Sequence, residues 1–90
     1  MRMLKPIAKK LLNEVIEEWK RYTYEELSGF ISSAPTTLEV PDSDGKLYLI
    51  KIQVFWDDQD EGDIRVIGAI DDGGWRSLYP ITEDFIARRE

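Results

Sequence analysis

Ninety residues suffice for one domain with one modest core, because a chain of this size buries only about 60 to 65% of its extended surface on folding. The sequence contains neither cysteine nor histidine, which excludes disulfides, thiolate catalysis, Ser-His-Asp triads and metal sites built on Cys or His. Its formal charge of -6 is unevenly placed: residues 1–10 carry Arg2, Lys5, Lys9 and Lys10 and no acid, whereas residues 23–87 set fourteen acids against Lys46, Lys51, Arg65 and Arg76, a net of -10. Such a body repels nucleic acid and suits a basic protein, or serves solubility alone. The amino terminus lacks the apolar core and cleavage site of a signal peptide, and no apolar run approaches the length of a membrane span. A cytoplasmic location is therefore expected, with neither membrane nor nucleic acid as partner.

From Pro6 onward, Ala8, Leu11, Leu12, Val15, Ile16, Trp19 and Tyr22 recur at three- and four-residue spacing, which predicts an amphipathic helix of about four turns. Glutamates on its polar face speak against a membrane-surface helix and for packing of its apolar stripe on a sheet. Thr23-Tyr-Glu-Glu26 has the form of a capping box, with Tyr22 and Leu27 spaced as its hydrophobic staple. A second helix starts there and is kept short by Gly29 and Ser32-Ser-Ala-Pro35.

Thr36-Thr-Leu-Glu-Val40 reads as a first strand, and Pro41-Asp-Ser-Asp-Gly45 as a turn with Gly45 at positive φ. Two further runs, Lys46 to Trp56 and Asp63 to Ile70, are rich in Ile, Val and aromatic residues and flank the polar segment Asp57-Asp-Gln-Asp-Glu-Gly-Asp63. They read as antiparallel strands and their turn. Alternation puts Tyr48, Ile50, Ile52, Val54 and Trp56, with Ile64, Val66, Gly68 and Ile70, on the core face. Leu47, Leu49, Phe55 and Ile67 then fall on the outer face, an apolar surplus for a sheet covered on one side only. Either a carboxy-terminal helix folds over them or they form an interface, most simply with a second copy.

Asp71-Asp-Gly-Gly74 predicts a tight turn, Trp75 to Tyr79 a short fourth strand ended by Pro80, and Glu83 to Arg88 a final short helix capped by Thr82. The expected fold is thus α+β, in the order α-α-β-β-β-β-α: a three- to four-stranded antiparallel meander with two amino-terminal helices and a short helix at the end.

Three segments are candidate sites. In a meander alternate turns share one end of the sheet, which would gather Asp42, Asp44, Asp71 and Asp72, an oxygen-rich group of the kind that binds Mg²⁺ for phosphoryl hydrolysis. Aspartate is, however, far more often a turn residue bonded to nearby amides. Asp57 to Asp63 fails as a calcium loop, because with Gly62 at the sixth position the twelfth is Gly68 and not the required glutamate. Trp75 and Arg76, after two glycines, offer a stacking surface and a guanidinium fork, or simply a core edge and an ion pair.

The run from Asp63 to Ile86, with its Ile70-Asp-Asp-Gly-Gly-Trp-Arg-Ser77 core followed by Pro80 and Phe85-Ile86, resembles a pattern in small bacterial proteins of unknown function. The resemblance implies a bacterial origin and no activity or site residue. The reading that emerges is a non-enzymatic interaction domain without cofactor, binding a protein or itself through Leu47, Leu49, Phe55, Ile67, Trp75 and Arg76. Two alternatives stand beside it: an inhibitor or immunity-type protein that neutralises a basic partner such as a nuclease, and the Mg²⁺-dependent hydrolase built on the turn aspartates.

Overall fold

The computed structural model describes residues 5–71 and 81–89. In chain order the elements are α1 (Lys5–Trp19), α2 (Tyr24–Ser28), β1 (Thr36–Pro41), β2 (Leu47–Trp56), β3 (Ile64–Asp71) and β4 (Ile81–Ala87). The strands form one antiparallel sheet in the order β1-β2-β3-β4, the expected meander.

Helix α2 begins as its sequence requires. Thr23 Oγ1 accepts from the Glu26 amide at 3.1 Å, and the Thr23 amide donates to Glu26 Oε1 at 2.9 Å, completing the capping box. Tyr22 lies against Trp19 and Phe30 in an aromatic group. Gly45 takes φ +84° in the β1–β2 turn, closed by the Gly45 amide on the Asp42 carbonyl at 3.0 Å.

The carboxy-terminal helix is not formed. Ile81–Ala87 is instead β4, paired with β3 from Ile70↔Ile81 to Ile64↔Ala87. The cap-like Thr82 and the acids after it mimic a helix start, but Ile81, Glu83, Phe85 and Ala87 also alternate with Thr82, Asp84 and Ile86. Pairing along the whole edge of β3 outweighs a single turn of helix propensity. The strand expected over Trp75 to Tyr79 lies outside the described residues.

Both helices pack on one face of the sheet: α1 over β3 and β4, α2 over β2 and β3. The core joins Ala8, Leu12, Val15, Ile16 and Trp19 of α1 and Leu27 of α2 to Tyr48, Ile50, Ile52, Val54, Ile64, Val66 and Ile70. At Gly68 the approach is close, since an added Cβ would stand 2.9 Å from Ile16 Cδ1, 3.0 Å from Leu12 Cδ1 and 3.1 Å from Ile52 Cδ1.

Among the described residues one interior polar atom is orphaned. The Tyr48 ring is fully buried and its hydroxyl has no hydrogen-bond partner, a state that costs roughly 1–3 kcal/mol of lost hydration. Tyr48→Phe keeps the ring and removes the hydroxyl, so urea unfolding should show a gain of about 1 kcal/mol. A loss of stability would mean that the hydroxyl is hydrogen-bonded in solution.

Candidate functional site

The outer face follows from the strand register. Its central rows, reading across the sheet, are Glu39, Leu49 and Asp71; Thr37, Lys51, Ala69 and Thr82; Gln53, Ile67 and Asp84; and Phe55, Arg65 and Ile86. Leu47, Leu49 and Phe55 are 52%, 37% and 38% exposed, and Ile67 is half-buried. With Ile81–Ala87 a strand, no helix among the described residues covers this face. Of the two explanations for the apolar surplus, the covering helix is thereby removed.

Arg65 organises the charge on the same face. Its Nε donates to Asp57 Oδ1 at 2.7 Å, and its Nη1 pairs with Asp84 Oδ2 across the β3–β4 ladder. The Asp57 hydrogen bond holds the Arg65 pKa above its ordinary value. A raised pKa on a cation means stability that is lost only as pH climbs through the folded value, far above the neutral range, so Arg65 contributes no pH dependence near neutrality. Sequence reading misses the triad, because Asp84 reaches Arg65 only when Ile81–Ala87 is extended. The signal was present in the period-2 alternation of that segment.

The acidic segment after β2 serves the fold. Asp57 is held by Arg65, and Asp63 accepts from Arg88 Nη1 at 3.3 Å and from the Arg89 amide at 2.9 Å. Tyr24 of α2 donates its hydroxyl to the Gly62 carbonyl at 2.6 Å, and Arg89 Nη1 donates to the Glu61 carbonyl at 2.9 Å. Arg88, expected to end a helix, and Arg89 thus fasten the loop instead. These arginines also discharge part of the acid surplus that motivates a basic partner. Tyr24, Ser28, Trp56, Glu61 and Arg89 line an open cleft of about 320 Å³. The Ser28 hydroxyl there donates to the Glu25 carbonyl at 2.7 Å, so both cleft hydroxyls are tied to backbone.

The turn aspartates behave as turn residues. Asp42 Oδ1 accepts from the Asp44 amide at 2.8 Å and from the Lys46 amide at 2.9 Å, which is the local bonding that places aspartate in turns. Asp44 is exposed, Asp71 sits on the outer face opposite Leu49, and Asp72 lies outside the described residues. Among the described residues no group of three or more carboxylates is placed to hold a metal ion. Trp75 and Arg76 also lie outside the described residues, so the structure brings together only Leu47, Leu49, Phe55 and Ile67 of the expected binding set. No described helix is long and apolar enough to cross a membrane. The chain matches no family model, no curated protein and no solved structure.

Proposed function

We propose that this chain is a non-catalytic protein-binding domain of the cytoplasm whose outer sheet face is the docking surface. The observation that carries the reading is the exposure of Leu47, Leu49 and Phe55 on a face that no described helix covers, beside a core in which the other alternation of the same strand is buried. Leu47 and Leu49 lie at one end of β2 and Phe55 at the other, with Lys51 and Gln53 between them, and exposed apolar side chains gathered on one sheet face support an interaction surface.

The test places a photo-reactive benzoylphenylalanine at position 49 or 55 and, as control, at Asn13 on the exposed side of α1, and irradiates native cells. Protein adducts from positions 49 and 55 but not from 13 are expected. If positions 49 and 55 yield only the free chain, the reading falls. The face must also be surface and not core, so Leu49→Lys should change the free energy of unfolding of the isolated chain, at concentrations too low for association, by no more than about 0.5 kcal/mol. A loss of 2 kcal/mol or more would assign Leu49 to the core.

A further inference from the structure

We infer that the occupant of the outer face is a second copy of this chain, stacked face to face about a two-fold axis that lies between the sheets and runs perpendicular to the strands. This rests on the docking reading above and adds the partner and its orientation. The argument comes from the register. Such an axis, passing over the row of Ile52 and Gly68, exchanges the rows on either side of it. Leu49 then meets Phe55 of the other copy and Ile67 meets Ala69. Lys51 meets the neutral Gln53, and Arg65 faces Asp71. Apolar groups thus fall on apolar groups along β2 and β3 and Lys51 falls on a neutral partner, while the Arg65, Asp57 and Asp84 group, with one negative charge in excess, meets Asp71.

The other face-to-face arrangement, with the axis parallel to the strands between β2 and β3, lacks this complementarity. It sets Leu49 against Asp71 and Phe55 against Arg65, burying charge under apolar side chains on both sides. Aligned sheets cross at about 30°, which leaves partners this close to the pivot within reach of one another.

Area supports the same occupant. Four strands about 4.8 Å apart and seven or eight residues long at about 3.4 Å each make a face of roughly 19 by 25 Å, before side-chain relief is counted. That approaches the roughly 600–1,000 Å² per partner of specific interfaces once relief is included. The flat face of an equal sheet matches it in both dimensions.

The experiment measures mass by light scattering behind a sizing column at low and high micromolar concentration. The wild type should rise to twice the chain mass, and Leu49→Lys should stay at the single-chain mass at every concentration. Because the chain has no cysteine, orientation is read with a short bismaleimide linker. A mixture of Leu49→Cys and Phe55→Cys chains should cross-link several-fold more than either alone. A monomer at all concentrations, or a dimer that Leu49→Lys leaves intact, overturns the inference. Equal cross-linking by Leu49→Cys alone overturns the orientation. If the wild type is monomeric and the photo-adduct at position 49 is a different protein, the docking reading survives and the second copy is ruled out. No adduct at all removes both.

Discussion

Replacing Trp19 with alanine should lower the free energy of unfolding by about 4 kcal/mol, within the range for a buried aromatic truncated to a methyl group. Trp19 is the last residue of α1 and only 6% exposed. Its ring lies 4.9 Å from that of Phe30, beyond α2, and 5.1 Å, edge-on, from that of Tyr22. The side chain therefore joins the end of one helix to the exit from the next, and its loss opens a cavity where neither neighbour can follow it inward. Aromatic pairs of this geometry add about 0.5–1.5 kcal/mol each beyond area burial. Because small domains hold only about 5–15 kcal/mol in total, the variant should be partly unfolded at physiological temperature. Urea titration followed by far-ultraviolet circular dichroism measures the loss. A cost under 1 kcal/mol would show that the two helices do not depend on this ring.

Gly68→Val should be nearly as damaging, by about 3 kcal/mol, although glycine is intrinsically poor in a strand and replacing it normally helps. The reason is the approach of α1. All three atoms nearest an added Cβ, on Ile16, Leu12 and Ile52, belong to side chains that are themselves buried. None can retreat without displacing another part of the core. Gly68→Ala should cost less, about 1 kcal/mol, because a single methyl asks for smaller shifts and regains backbone entropy. Thermal melts of the two variants test the ordering. Equal melting temperatures for wild type and Gly68→Val would mean that α1 does not press on the sheet at Gly68.

The Gly68 contact also shows what the sequence could and could not disclose. Alternation along Tyr48 to Trp56 and Ile64 to Ile70 assigns inner and outer faces because side-chain direction in a strand is a strictly local property. The capping box at Thr23 is equally local, as is the positive φ at Gly45. That Gly68 lies beneath Ile16 is not local, since it depends on where α1 crosses the sheet. The same limit explains β4. Thr82, Glu83 and Asp84 carry a helix-start signal in isolation, and only the free edge of β3 makes the extended form better. Of the site, the apolar surplus of Leu47, Leu49 and Phe55 was legible residue by residue. The Arg65, Asp57 and Asp84 triad was not, because it joins three segments through a register that no short window contains.

The seating of α1 on β3 and β4 ties together elements far apart along the chain, with Lys20 Nζ standing 6.0 Å from the centre of the Phe85 ring at the far end of the contact. Each β-hairpin can close over a short loop, at microsecond cost in time. The helix, by contrast, has half of its apolar platform missing until the last strand has been made and paired. Loop closure over so many residues is only slightly costlier in entropy than closure over few, but it must precede any return from burial. During synthesis α1 therefore emerges before the strands it packs on, with its apolar stripe open to water and to chaperones until β4 clears the ribosome.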